Sequence, residues 1–313
     1  TSAVVLPGSK SSSRWSYARS AATRGFMEGV LGAGKIEQEL AQQIRDLFPD
    51  GGFDIEHLDC GEGVFQINEP SDTMNYGGRK SIHQAYLDRI GACVTNLNYF
   101  VDDHAHAKQL LTSLDAEVHI EGPSSAARGL ADYGPANTRP GADARPFLFM
   151  GTRHLIGLDL EIMEPNFLRF TDQTTQYPCF VHPRPAVTDG NLLLQRLRLV
   201  VPDLEAAWAS IEAIFTPGSR SKPYAQRSGR LGKSFRIGLS GIELEYCQPL
   251  SGRGELAGEL EKFGPGVVAI AFTANSPGKV KDKLAGEGMP AIAAAVDPLD
   301  GTTNYVHDFP CYA

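Results

Sequence analysis

The sequence predicts an α+β protein that repeats a module of one strand, one helix and three strands. Three observations support this fold class: similar segment endings recur along the chain, the order strand–helix–strand returns after each ending, and the composition is globular. Of the 313 residues, 42% are hydrophobic and 21% are charged. This is enough apolar material to form a substantial core.

The recurring endings are three short segments that each finish in proline. They read GVFQINEP at 63–70, GLDLEIMEP at 157–165 and GIELEYCQP at 241–249. Each has a carboxylate or amide side chain four residues before its proline, namely Gln66, Glu161 and Glu245. Because the period is roughly 85–95 residues, it is too long for a solenoid repeat. It suits one complete α+β module per repeat.

The first module is predicted from a helix and a strand pair. Apolar residues recur at helical spacing over 36–48, and PDGG then ends the predicted helix. The segment 53–70 follows as two strands joined by a turn that contains glycine.

The second module begins with a strand-like segment, VTNLNYFVDD, over 94–103. Asp102 or Asp103 is the predicted N-cap of the helix that follows. Strands are then predicted for AEVHIEG, RPFLFMG and HLIGLDLEIMEP. A long loop over 122–146, rich in Gly, Pro and Arg, separates the first two of these strands, and loops of this length often bind ligands.

The third and fourth modules start in the same way. LQRLRLVV is a predicted strand, Asp203 the predicted cap of the following helix, and the segment 234–249 a pair of strands joined by a Ser-Gly turn. The fourth module begins with the strand GVVAIAFT and a helix in which Ser276 is the cap and Pro277 the first helical residue.

RLRLVVPDLEAAW at a module start, with GLDLEIMEP and GIELEYCQP at module ends, resembles the vicinal oxygen chelate superfamily. That superfamily includes glyoxalase I, extradiol dioxygenases, methylmalonyl-CoA epimerase and bleomycin-resistance proteins. The resemblance implies βαβββ modules paired into two half-barrel domains. We expect one half-barrel within 1–185 and the other within 190–313, with a linker near 183–190.

The resemblance also implies metal ligands in the last strand of each module. These positions are Gln66, Glu161 and Glu245, whose oxygens suit Mg²⁺, Mn²⁺, Fe²⁺ or Zn²⁺. In the first strands, where the family usually has histidine, this chain has Asn96, Arg196 and Val267. The alternatives for Glu161 and Glu245 stay open: each is a metal ligand, a catalytic base, or a solvated carboxylate next to a turn.

Arginines and histidines supply the remaining candidates. A guanidinium cannot ligate a cation, so Arg196 and Arg198 are predicted to bind a carboxylate or phosphate of a substrate. Arg139 and Arg145, in the long loop, are further candidates for an anionic substrate. Among the histidines, His154 precedes the last strand of the second module and His57 lies in the strand before Gln66, so both are candidate catalytic residues.

The C-terminal segment VDPLDGTTNYVHDFP, at 296–310, resembles the metal-binding motif of inositol monophosphatase-like phosphatases. The resemblance implies Mg²⁺ binding by Asp297 and Asp300. The alternative is a turn between two strands, which would place Tyr305 and His307 on one strand face as substrate-binding candidates.

The net charge of −8 is a poor match for nucleic acids or anionic membranes, and no apolar run reaches the roughly 20 residues of a membrane span. Five scattered cysteines indicate reduced thiols and a cytoplasmic location. We therefore expect a small-molecule enzyme, with a homodimer left open. The missing histidines favour a lyase or isomerase over a ring-cleaving dioxygenase. A non-catalytic ligand-binding protein and a Mg²⁺-dependent phosphatase are the alternatives.

Overall fold

The computed structural model describes part of the chain in detail. The described residues are 34–35, 53–59, 64–70, 82–90, 94–101, 103–123, 146–163, 193–217, 222, 225–227, 229–237, 242–273 and 282. They form three sheets and a small number of helices. None of the described helices is long and apolar enough to cross a membrane.

The first sheet confirms the strand pair predicted for 53–70. It contains β1 (Gly34–Lys35), β2 (Phe53–Asp59) and β3 (Val64–Pro70), all antiparallel to their neighbours. Its register places His57 directly opposite Gln66. Helix α1 (Ile82–Ile90) follows, and it was not predicted from the sequence.

Module two is the unit that contains the second sheet. Its elements are β4 (Asn96–Phe100), α2 (His104–Ser113), β5 (Glu117–Pro123), β6 (Pro146–Gly151), α3 (Arg153–Ile156) and β7 (Asp159–Met163). The strand order is β4-β7-β6-β5, with β4 and β7 parallel and the other neighbours antiparallel. This is the predicted βαβββ connectivity.

One detail of module two differs from the prediction. HLI was expected to be part of the last strand, whereas it belongs to the short helix α3. Gly157 ends this helix in a left-handed conformation, with φ of 80°. A Cβ at this position would lie 3.3 Å from the Leu199 side chain, so both the backbone angle and the close packing favour glycine.

Module three repeats this arrangement with different lengths. Its elements are β8 (Leu193–Val200), α4 (Leu204–Phe215), β9 (Ala225–Arg227), β10 (Arg230–Ile237) and β11 (Ile242–Pro249). Helix α5 (Glu255–Phe263) and strand β12 (Gly266–Thr273) follow. The strand order is β12-β8-β11-β10-β9, and β8 is parallel to β11. The strand predicted to open the fourth module is confirmed as β12, and the structure pairs it antiparallel with β8.

Modules two and three share one hydrophobic core. Their sheets turn an apolar face towards α2 and α4, and the cluster contains Leu111 and Leu160 from module two with Trp208 and Tyr246 from module three. The rings of Tyr99 and Phe215 meet across the two modules at 5.2 Å. The opposite sheet faces are consequently left for polar side chains.

Both helix caps in the core region confirm the predictions from sequence. The Asp103 carboxylate accepts the backbone N–H of His106 at 2.8 Å, and that of Asp203 accepts the N–H of Ala206 at 3.0 Å. Each carboxylate satisfies an N–H group that the first helical turn would otherwise leave unbonded.

Candidate functional site

The candidate site lies on the polar sheet faces, where the predicted carboxylates of modules two and three occupy equivalent positions. Glu161 in β7 is paired with Asn98 in the parallel strand β4, and Glu245 in β11 is paired with Arg198 in β8. Two residues earlier in the same strands, Asp159 is paired with Asn96 and Glu243 is paired with Arg196. The last strands of the two modules are thus equivalent, as the repeated endings predicted.

In module two, amide side chains surround the carboxylate. The Asn96 Nδ2 group donates to Glu161 Oε2 at 3.2 Å and to Asn98 Oδ1 at 2.7 Å. Thr95 Oγ1 donates to Asn96 Oδ1 at 2.6 Å and so orients the Asn96 amide. The side chain of Asn98 also donates to Glu161. Glu161 is therefore held in place by neutral groups.

Glu161 is only partly exposed, and its protonation reflects that environment. Burial raises the pKa of Glu161 to about 7, although the hydrogen bonds from Asn98 and Asn96 favour the ionised form. None of the ion pairs among the described residues includes Glu161. Its carboxyl group can therefore both accept and release a proton near neutral pH.

Asp159 lies two residues before Glu161 on the same strand face and has a different role. Its side chain is 1% exposed, and it accepts the backbone N–H of Arg153 at 2.8 Å. Burial raises the pKa of Asp159 to about 7, against the backbone hydrogen bonds from Arg153 and Thr152. Since these bonds hold the start of α3, we assign Asp159 a structural role.

In module three, arginines surround the equivalent carboxylates. Arg196 donates through Nε and Nη2 to Glu243 Oε2, at 3.2 and 2.9 Å, and through Nη1 to Glu245 Oε2 at 3.3 Å. Arg198 donates from Nε to Glu245 Oε2 at 3.0 Å, and its Nη2 forms an ion pair with the same oxygen at 3.0 Å. Glu243 Oε1 accepts Lys222 Nζ at 2.8 Å and Ser234 Oγ at 2.6 Å.

These ion pairs reverse the effect of burial on the module-three carboxylates. Burial favours the neutral form of Glu243, but the charge of Arg196 and the bonds from Lys222 and Ser234 outweigh it and lower the pKa to about 2. Burial likewise opposes ionisation of Glu245, but the charges of Arg198 and Arg196 lower its pKa. Both groups are permanent anions at neutral pH.

Comparison with solved structures identifies the fold. A triple mutant of 4-hydroxymandelate synthase from Streptomyces coelicolor matches 86% of this chain and 72% of its own, with 17% identity and a TM-score of 0.50. Together with the β4/β7 and β8/β11 parallel pairs, this match decides the fold. The chain has the vicinal oxygen chelate fold.

Other matches to this fold are weaker. BphC, a halotolerant catechol dioxygenase, matches 86% of this chain and 72% of its own at 12% identity and a TM-score of 0.43. Methylmalonyl-CoA epimerase from Mycobacterium tuberculosis matches 34% of this chain and 69% of its own at 18% identity and a TM-score of 0.29. No family model and no curated protein sequence matches the chain.

The described residues do not fit the metal centre that the vicinal oxygen chelate resemblance implies. Among them, no group of three or more His, Cys, Asp or Glu side chains is arranged to hold a metal ion. Glu245 bonds to two guanidinium groups, which carry no lone pair for a metal. Glu161 has two amides beside it, and the Gln66 side chain lies outside the described residues. A metal at Glu161 would need ligands from beyond the described part of the chain.

The two histidines predicted to be catalytic lie on other elements than Glu161. His154 is exposed on α3, and His57 lies in the first sheet opposite Gln66. His119, which the sequence did not single out, packs its ring over Gly151 and 6.2 Å from the ring of Phe149. Because Phe149 pairs with Glu161 across β6 and β7, His119 lies on the same sheet face as Glu161.

Several predicted residues fall outside the part of the chain that the structure describes. They are the helix at 36–48, the loop at 124–145 with Arg139 and Arg145, the linker at 183–190, and the C-terminal segment with Asp297, Asp300, Tyr305 and His307. The domain boundary, the loop contacts and both interpretations of the C-terminal motif stay predictions.

Asn98 is the partner of Glu161 that sequence reasoning missed. The strand pattern had drawn attention to Asn96, because it lies where the family usually has histidine. Strand alternation could have identified Asn98 from the sequence, because Asn96 and Asn98 are two residues apart in one strand and so point to the same face. The register then shows that Asn98 is the residue directly opposite Glu161.

Proposed function

We propose that this protein is a small-molecule lyase or isomerase in which Glu161 accepts and returns a proton. The reaction class is one that passes through an enolate-like or oxyanionic intermediate, formed when a base removes a proton from a carbon next to a carbonyl group. The observation that supports this proposal is the environment of Glu161. It is a partly exposed carboxyl group held by two amides, with a pKa of about 7.

A general base works best when its pKa lies near the working pH, because it can then both accept and release the proton. Burial supplies that pKa here, while the amides of Asn96 and Asn98 hold the carboxyl group in one orientation. Asn98 is exposed beside Glu161, and we propose that its amide contacts the bound substrate.

In module three, Glu245 lies at the position equivalent to that of Glu161, but its neighbours do not suit it to proton transfer. Glu245 is an anion bound to Arg196 and Arg198, and its lowered pKa makes it a poor proton acceptor. We therefore assign proton transfer to module two.

The test is hydrogen exchange between substrate and solvent. A panel of 2-oxo acids, 2-hydroxy ketones and acyl thioesters is incubated with the protein in D₂O, and NMR follows the loss of the proton next to the carbonyl. The wild-type protein should exchange at least one member of the panel. Glu161→Gln should slow that exchange by about a hundredfold or more, corresponding to about 3 kcal/mol.

The matched control is Glu121→Gln. Glu121 is an exposed carboxylate that pairs with Lys108 in module two, and its loss should leave exchange unchanged. Equal exchange by Glu161→Gln and wild type would contradict the proposal. A panel member that binds tightly and never exchanges would instead favour the ligand-binding alternative.

A further inference from the structure

We propose that His119 is a second catalytic residue beside Glu161, and that its imidazole N–H donates a hydrogen bond to the carbonyl oxygen of the substrate. The inference rests on the proton transfer proposed for Glu161, and it adds the group that stabilises the negative charge created by that transfer. Three observations support it: the position of the His119 ring over the sheet, its separation from Glu161, and the groups around it.

The His119 ring lies over β6, on the sheet face that holds Glu161. A Cβ at Gly151 would lie 2.5 Å from Nε2 of His119 and 2.7 Å from its Cε1, so the ring fills the space in which another side chain would begin. Phe149, two residues earlier in β6, is paired with Glu161 in β7. Because residues two apart in a strand point to the same face, the space above Gly151 and the Glu161 side chain share one face.

The strand pairing also sets the separation of the two groups. Gly151 is the diagonal neighbour of Glu161, because it lies two residues beyond the paired Phe149. Such diagonal positions are about 7–8 Å apart on one face of an antiparallel pair. A reacting carbon lies about 3–3.5 Å from its base, and a hydrogen bond to a carbonyl oxygen spans about 2.9 Å. A carbonyl group and the carbon next to it therefore fit between His119 and Glu161.

The surroundings of His119 favour a neutral imidazole that a ligand can reach. The side chain is exposed, and the partial burial of its ring lowers the pKa. The charge of Glu117 raises the pKa by a smaller amount, and the charge of Arg89 lowers it. The ring is therefore uncharged at pH 7 and carries a single N–H group, which is available as a hydrogen-bond donor.

Helix α1 shields the floor of this site, which is Phe149. The Phe149 ring lies 6.2 Å from that of His119, and its residue is paired with Glu161. Tyr86 and Ile90 of α1 form a buried cluster with Phe149, which is 3% exposed. The surface between the two proposed catalytic groups is consequently apolar, and a hydrogen bond is stronger where the local dielectric is low.

The proton and the electron pair are both accounted for in this arrangement. Glu161 takes the proton from the carbon next to the carbonyl group, and the electron pair of that C–H bond moves to the carbonyl oxygen. The His119 N–H stabilises the resulting oxyanion, and the reverse steps return the proton to the carbon. Removing one such donor typically slows a reaction by about a hundredfold or more.

Imidazole NMR of the whole chain tests the contact without relying on catalysis. Spectra of wild type and His119→Phe assign the His119 signal among the eight histidines. Glu161→Gln, which cannot remove the proton, is then titrated with pyruvate, hydroxyacetone and oxalate, a stable mimic of a 2-oxo acid enolate. At least one of these should shift the His119 signal, whereas His106, exposed on α2, should keep its signal. A His119 signal that none of them moves would overturn the proposal.

Hydrogen exchange in D₂O, with the same panel of 2-oxo acids, 2-hydroxy ketones and acyl thioesters, measures the effect on the reaction. His119→Phe removes both ring nitrogens at similar volume and should slow exchange by about a hundredfold. His119→Gln keeps an N–H donor and should recover part of that loss. His106→Phe, the matched change at an exposed histidine on α2, should exchange like wild type.

Gly151→Ala tests the position of the ring. Its methyl group would enter the space of the His119 ring, so the ring has to move, and exchange should slow by about tenfold or more. Gly232→Ala is the control, since a Cβ at that strand position meets its nearest packed atom at 3.6 Å. Equal exchange by His119→Phe and wild type would overturn this proposal and leave the role of Glu161 intact. Unchanged exchange in Glu161→Gln would instead contradict the proposed function itself.

Discussion

Modules two and three place carboxylates at equivalent positions and give them opposite protonation behaviour. Glu161 and Glu245 both lie in the last strand, opposite residue 98 or 198 of a parallel first strand. The neighbours are asparagines in one module and arginines in the other. Burial raises the pKa of Glu161, while arginine charges lower that of Glu245.

The fold supplies the positions of these carboxylates, and the neighbouring side chains determine their chemistry. Both carboxylates share the same backbone register and a similar degree of shielding from water. Two amides leave the cost of burying charge largely uncompensated, whereas two guanidinium groups more than compensate it.

The largest expected effect is on stability at the 98/198 pair. Arg198→Met should lower the free energy of unfolding by about 3–5 kcal/mol, because it leaves Glu245 in a shielded site with its bond to Arg196 alone. Asn98→Met, the matched change in module two, removes hydrogen bonds to Glu161 and Asn96 but no ion pair, and it should cost about 1 kcal/mol. Urea unfolding at pH 7 measures both, and similar losses would contradict the contrast.

The pH dependence of stability should have opposite signs in the two modules. In module two, the folded state holds the Glu161 proton more tightly than the unfolded chain does, so wild-type stability falls as the pH rises from about 4.5 to about 7. Glu161→Gln removes the part of this loss that Glu161 causes, while Asp159, whose pKa is also raised to about 7, keeps its own part. The variant should match wild type near pH 4 and exceed it by up to about 3 kcal/mol at pH 8.

In module three, the folded state holds the Glu243 proton less tightly than the unfolded chain does. The ionised Glu243 carboxylate therefore contributes fully to the stability of the fold above about pH 4.5, and this contribution is lost as the pH falls towards 2. Glu243→Gln should therefore be less stable than wild type by up to about 3 kcal/mol at pH 7, and the difference should shrink on acidification. Unfolding curves across pH measure both variants, and curves of the same sign would refute the assignment.

A smaller effect is expected from transferring one arginine to module two. Asn98→Arg places a positive charge opposite Glu161 and should lower the pKa of that carboxyl by about 1–3 units. Carboxyl ¹³C NMR titration reports the shift directly. The substitution Asn98→Gln keeps an amide without adding charge and serves as the control. A Glu161 pKa that stays near 7 in Asn98→Arg would show that the arginines alone do not explain module three.

The smallest expected effect tests where the modules should agree. Asp103→Ala and Asp203→Ala each remove an N-cap with the same geometry, and each should cost about 1 kcal/mol. Chemical unfolding of the two variants checks this. A loss in one module and none in the other would indicate that the two helices contribute unequally to the shared core.

Much of the fold could be predicted from local patterns. The strands of modules two and three, the caps Asp103 and Asp203 and the opening strand of the fourth module follow from alternation, capping chemistry and repetition. Helices α1 and α5 were missed, although Leu256, Leu260 and Phe263 have helical spacing in α5. Their apolar residues pack in small clusters beside the main core, and the repeat offered no template for them.

The candidate site could be predicted in part. Glu161 and Glu245 were identified by their distance from a proline, and the structure confirms that they are equivalent. Sequence could not assign their partners, because Asn98 and Glu161 are 63 positions apart and meet through the β4/β7 register. The sequence could not place His154 either. Although this residue is near Glu161 in the sequence, it is exposed on a helix that the strand pattern did not predict.

The sequence by itself determined the modules, since alternation, helix caps and segment endings depend on residues close together in the chain. It also determined which residue types lie at each ending. The tertiary structure alone decided what each carboxylate can do. A carboxyl pKa depends on the charge, hydrogen bonds and water within a few ångströms, and in this fold those neighbours come from a parallel strand distant in sequence.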